Sequence, residues 1–143
     1  MHTVRKSVIV PHSCEAMFDL VERCERYPEF LPWCSGAEVF ERTAQVTRAR
    51  LDIDYHGLKS HISTVNRKDR PRRIGLALDE GPFDHFTGEW HFTPLGKEGC
   101  RVELVAEYAF GNVALETLLG PVFGYILETL VERFVERAAE LNP

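Results

Sequence analysis

The sequence predicts an α+β fold in which a curved antiparallel β-sheet is gripped by one long C-terminal helix. Two changes of hydrophobic period carry this expectation. From about residue 36 to 110 apolar residues alternate with polar ones, and Gly57, Asp69 to Arg72, Gly81-Pro82 and Gly96 to Gly99 supply turns, which describes five or six successive strands. After Gly111-Asn112 the repeat becomes helical. Leu115, Leu118, Leu119, Val122, Phe123, Ile126, Leu127, Leu130, Val131, Phe134, Val135 and Ala138 recur three or four apart, with Glu116, Glu128, Glu132, Arg133, Glu136, Arg137 and Glu140 between them. An apolar face this broad suits a helix laid across a sheet.

The elements follow in order. Residues 3 to 10 alternate and are rich in Val and Ile, which reads as a strand ended by Pro11. Ser13 is the expected N-cap of a short helix with Ala16, Met17, Leu20 and Val21 on one side and Glu15 in the first turn. Pro28 and Pro32 confine the next segment, Tyr27 to Cys34, to a short aromatic-rich helical corner. In the strand from Val46 to Tyr55, Ala49, Leu51, Ile53 and Tyr55 share a dry face, and Arg48, Arg50, Asp52 and Asp54 a wet one. Further on, Phe86, Trp90 and Phe92 share a face with Gly88 between them, and Val102, Leu104, Ala106, Tyr108 and Phe110 share another. Glycine in mid-strand signals a bend or the close approach of another group. Gly120-Pro121 predicts a kink in the last helix, or a short separate helix before it.

A chain of 143 residues is expected to form one domain, spanning 1–143, with a sizeable core. The net charge of −5 argues against a general nucleic-acid surface, since such surfaces are basic. One locally basic segment stands out: Arg67, Lys68, Arg70, Arg72 and Arg73. Glu and Arg interrupt the last helix, so no stretch is expected to reach the roughly 18 to 20 apolar residues of a membrane span. The first ten residues alternate and do not form the apolar block of a secretion signal. Cys14, Cys24, Cys34 and Cys100 lack metal-ligand spacing and read as reduced, buried thiols of a cytoplasmic protein.

Two motifs carry a resemblance to a known family. The first is Tyr27-Pro28-Glu29-Phe30-Leu31-Pro32-Trp33-Cys34. The second is Gly81-Pro82-Phe83, then Gly88-Glu89-Trp90-His91-Phe92-Thr93-Pro94-Leu95, followed by Cys100-Arg101-Val102-Glu103. In this order, over about Thr3 to Leu141, they make the chain resemble the START-like (SRPBCC, helix-grip) superfamily. More narrowly, it resembles the branch that holds the coenzyme Q-binding proteins and the bacterial ribosome-association toxin RatA. The resemblance implies an apolar cavity between sheet and last helix, with the Tyr27 to Cys34 corner near its mouth. Trp33 matches the quinone-binding members. Asp84-His85 departs from relatives that carry basic residues there, which weakens RNA contact through that loop.

Read with that resemblance, the expected ligand-binding set is Phe30, Leu31, Trp33, Phe86, Trp90, Phe92, Tyr108, Phe123, Leu127, Leu130 and Phe134. The competing reading of these side chains is plain core packing. The expected ligand is ubiquinone or a related polyprenyl lipid, bound without catalysis in support of respiration, with no cofactor and no metal. Phe30, Leu31 and Trp33, between two prolines, are expected to form a greasy lip for transient contact with the inner face of the plasma membrane. Two alternatives stand beside this. One is a RatA-like toxin that binds the large ribosomal subunit through Arg67, Lys68, Arg70, Arg72 and Arg73 and blocks subunit association. The other is a small aromatic cyclase or hydrolase, for which Tyr55, Tyr108 and Tyr125 are the available acid or base groups. His85 and His91 alternate with Phe86, Trp90 and Phe92 and fall on the wet face, and no nucleophile or phosphate-loop motif is present.

Overall fold

A computed structural model describes residues 1–142. The strands are β1 (His2–Val10), β2 (Cys34–Arg42), β3 (Val46–Tyr55), β4 (Leu58–Asp69), β5 (Arg73–Glu80), β6 (Phe83–Leu95) and β7 (Gly99–Phe110). They form one antiparallel sheet in the order β1-β7-β6-β5-β4-β3-β2. Helix α1 (Cys14–Glu22) and a 3₁₀ turn (Cys24–Glu29) carry the chain from β1 at one edge to β2 at the other. Helix α2 (Val113–Leu141) closes the molecule.

Local chemistry explains the boundaries. Ser13 caps α1, its Oγ accepting from the Ala16 N–H at 3.1 Å. Asn112 caps α2 in the same way, accepting from the Leu115 N–H at 2.9 Å. His56 and Gly57, both at positive φ, make the two-residue β3–β4 hairpin, whose twist matches that of the strands. Register shifts between Cys34 and Gly36, Val39 and Glu41, Ser63 and Thr64, and Phe83 and His85 increase local twist, which curves the sheet.

The inward face of the sheet is the predicted one. Ala49 and Ile53 are buried from β3, Phe86, Trp90 and Phe92 from β6, and Val102, Leu104, Ala106 and Tyr108 from β7. Gly88 sits opposite Leu76, and a methyl group added to it would stand 3.1 Å from Leu76 Cδ1. Leu76 thus packs closely over this glycine.

Two expectations about α2 are corrected, a separate short helix before it and the lack of a span-length apolar stretch. The helix runs unbroken for 29 residues through Pro121, with no separate helix before it. Proline costs one backbone hydrogen bond there, while Leu119, Val122 and Phe123 are buried on both sides of it and hold the helix on the sheet. The second correction concerns length and composition. An 18-residue window of α2 reaches a mean hydropathy of 1.4, enough for a membrane span by those measures. Its charges are sparser before Leu130 than after, and the buried side of that stretch covers the sheet.

Candidate functional site

Helix α2 packs against β1, β7 and α1. Toward β3, β4 and β5 it leaves an apolar cavity of about 100 Å³. The helix contributes Phe123, Ile126, Leu127 and Leu130. Strands β3 to β6 contribute Ala49, Leu51, Ile53, Ile62, Ile74, Leu76, Phe86 and Trp90, and the α1 side adds Val21, Cys24, Tyr27 and Trp33. Leu51, Thr64, Asn66, Leu76 and Leu130 line it and are half-exposed, so a water-sized molecule reaches them.

Of the residues expected to bind ligand, Trp33, Phe86, Trp90, Phe123, Leu127 and Leu130 stand in this wall. Phe30, Leu31, Phe92, Tyr108 and Phe134 do not. Phe134 meets Tyr27, Phe30 and Trp90 with ring centroids 5.3, 5.5 and 5.4 Å apart, a solid aromatic joint between α2, the 3₁₀ turn and β6. Phe92 packs on Phe18 and Trp90, and Tyr108 on Phe83, Phe86 and His2. Sequence reasoning missed the aliphatic half of the wall. Its signal was the alternation of Ala49, Leu51 and Ile53 with charged residues, which located a dry face without showing that α2 stands away from it.

The corner from Tyr27 to Cys34 also corrects an expectation. Leu31 is 1 % and Trp33 5 % exposed, so both turn inward. Phe30 is half-buried against Tyr27 and Phe134 and is covered by the Arg137 guanidinium, 5.2 Å from its ring centroid. Arg137 is itself held by Glu29 at 2.8 Å. The corner is thus a packed joint with no greasy lip to offer a membrane.

The Glu22 carboxylate at the cavity is engaged by three donors. Glu22 Oε1 accepts from Thr47 Oγ1 at 2.6 Å, Lys68 Nζ at 3.1 Å and Arg42 Nε at 3.1 Å. Arg42 also grips Glu25, and those hydrogen bonds hold the Glu25 carboxyl below its ordinary range despite partial burial. The Tyr27 hydroxyl donates to the Val21 carbonyl, and burial raises the phenol well above its ordinary value. Burial likewise pushes the Cys24 thiol up to about 11. Tyr55, Tyr108 and Tyr125, the expected acid or base candidates, are not in the wall. Among the described residues no group of three His, Cys, Asp or Glu side chains is placed to hold a metal ion.

The basic segment is largely neutralised. Lys68 pairs with Glu22, Arg70 with Asp19 at 2.8 Å and Arg73 with Glu89. Arg67 and Arg72 are exposed and have no ion-pair partner among the described residues. His85 and His91 lie on the outer face as expected, half-exposed, with His91 Nε2 3.4 Å from Glu89.

A curved antiparallel sheet closed by one C-terminal helix over an apolar cavity defines the START-like helix-grip class. A START superfamily protein from Mycobacterium smegmatis has the same fold, with a TM-score of 0.83 at 22 % identity over 99 % of this chain and 100 % of that one. The chain belongs to the polyketide cyclase/dehydrase and lipid transport family, whose model matches residues 10–135. It is 34 % identical to the ribosome association toxin RatA of Pseudomonas aeruginosa over 96 % of each protein. Similarity extends to the mitochondrial coenzyme Q-binding protein homolog B of Xenopus laevis, 23 % identical over 95 % of this chain and 57 % of that protein.

Proposed function

We propose that this protein binds an apolar small molecule, a polyprenyl quinone such as ubiquinone or a related lipid, between α2 and strands β3 to β5, without acting on it chemically. The cavity in that position is the observation that carries the reading. Further support comes from the relative named for coenzyme Q binding and from the titratable groups of the wall, which are already hydrogen-bonded or held neutral by burial. Each isoprenoid methylene moved out of water contributes about 0.8 kcal/mol. At about 100 Å³ the cavity is smaller than the ~150 Å³ known to accept benzene. Entry of a quinone ring therefore requires wall side chains such as Leu76, Leu127 and Leu130 to move aside. In a cell the protein would work in the cytoplasm and meet the membrane only to load.

The test is direct. The protein is purified from quinone-producing cells and extracted with organic solvent, and the extract is measured by mass spectrometry. A polyprenyl quinone near one per chain is the expected result. An empty extract, repeated after incubation with quinone-loaded vesicles, would refute the reading.

A second reading has its own observation, the 34 % identity to proteins named ribosome association toxin. By that likeness the chain would bind the large ribosomal subunit and oppose subunit joining. Arg67 and Arg72 are the members of the basic segment free to meet phosphate. Co-sedimentation with large subunits that falls steeply between 50 and 200 mM salt, and is weakened by Arg67→Ala with Arg72→Ala, is the outcome this reading requires.

A further inference from the structure

Among the described residues, one buried side-chain nitrogen or oxygen has no hydrogen-bond partner, the indole Nε1 of Trp33. Trp33 stands in the cavity wall. An indole nitrogen only donates. Left without an acceptor in an apolar setting, it costs free energy that the fold has to offset, so such a group calls for a physical reason.

Nothing local relieves it. The Trp33 carbonyl accepts from the Asp54 N–H at 2.9 Å, and the Cys34 N–H donates to the Leu31 carbonyl at 3.0 Å. These bonds clamp the residue between the corner and β3. Other polar groups of the same wall are served from within the protein: the Tyr27 hydroxyl by Val21, the Thr64 hydroxyl by Asn66 Oδ1 at 2.7 Å, and Glu22 by three donors. Trp33, a residue of that wall, therefore holds a buried donor that no protein group serves.

We propose that the Trp33 indole N–H is the group that reads the ligand, donating to a carbonyl oxygen carried by an otherwise apolar molecule. The proposal rests on the reading of the cavity as a ligand site and adds what that ligand must carry. A pure hydrocarbon buries the same apolar surface but leaves the N–H unpaired. A carbonyl fills the cavity and satisfies the donor together, as the carbonyl of a quinone does. Binding then discriminates by an oxygen atom more than by apolar area, because the unpaired donor penalises the wrong ligand.

The chain has two tryptophans, Trp33 and Trp90, and hence two indole N–H signals. Protein labelled with ¹⁵N and ¹³C is titrated with a two-isoprene ubiquinone and with its analogue in which both carbonyl oxygens are absent. Trp33→Phe assigns the signals and supplies a wall without the donor. The expected result is a downfield shift of the Trp33 indole proton with the quinone, roughly tenfold weaker binding of the carbonyl-free analogue, and loss of that preference in Trp33→Phe. Shifts of wall methyl groups with an unmoved Trp33 indole signal would overturn the proposal while leaving the cavity reading intact. Retention of the preference in Trp33→Phe would do the same. With neither molecule moving any wall methyl group, the cavity reading itself falls and takes this proposal with it. The indole titration of the wild-type protein stands even where the variant folds poorly.

Discussion

Cys14, Cys24, Cys34 and Cys100 are all buried and free, and burial is the leading cause that raises the Cys24 and Cys34 thiols to about 11 and Cys100 to about 12. The Cys14 thiol faces Cys100 Sγ at 2.7 Å, across from the start of α1 to the start of β7. Thiolate is the reactive form, so native protein at pH 8 should react very slowly with an aromatic disulfide reagent and release four equivalents only on unfolding. Rapid labelling of the native state would contradict the burial. Asp19 makes a second residue-scale case. Hydrogen bonds from Arg70 hold its carboxyl below the ordinary 3.8, against a smaller opposing effect of burial. A carboxyl with a lowered folded value stabilises above its unfolded value, and that contribution disappears as pH falls through the folded one. Asp19→Asn should therefore cost about 0.5 kcal/mol at pH 6, screened as a part-exposed pair, and the gap to wild type should close as the pH drops below about 4. Melting curves from pH 3 to 6 measure it.

At the scale of elements, Gly88 shows how one strand shapes the cavity from the opposite strand. Leu76, which lines the cavity, would stand 3.1 Å from a methyl group at position 88, a tight contact. Gly88→Ala forces Leu76 to give by a few tenths of an ångström, and the adjoining cavity has room for it. We expect stability within about 1 kcal/mol of wild type, since alanine also removes the entropic penalty of a strand glycine. Quinone affinity should fall, because Leu76 then takes up part of the cavity. Urea unfolding and a quinone titration separate the two effects, and unchanged affinity would argue against Leu76 as a limiting wall. Helix α2 teaches a related lesson. Its proline predicts a kink or a separate short helix when the segment is considered alone, and with Leu119, Val122 and Phe123 buried around it the helix is one continuous element.

Across the whole molecule the core divides into a packed part and an open part. Phe134, 1 % exposed, joins α2 to the 3₁₀ turn and β6, and its truncation to Ala should cost about 3–5 kcal/mol in urea unfolding, the range for emptying an aromatic core site. A loss under about 1 kcal/mol would show that this joint is not closely packed. Much of this fold was legible in the sequence. Period two marked the strands and their dry face, helical spacing marked α2, and Ser13 marked the start of α1, because these depend on neighbours a few residues apart. The candidate site was legible in part. Trp33, Phe86, Trp90, Phe123, Leu127 and Leu130 carry the right chemistry and line the cavity, while Phe30, Leu31, Phe92, Tyr108 and Phe134 carry the same chemistry and do not. A phenylalanine in a core and one in a cavity wall have identical local patterns. Which is which follows from how far α2 stands from β3 to β5, a distance set by side chains remote in sequence. The charges of Lys68, Arg70 and Arg73 were visible in the sequence as a basic patch. Only the tertiary structure brought Glu22, Asp19 and Glu89 against them, and left the Trp33 indole without a partner, because pairing depends on which groups the fold places within hydrogen-bond reach.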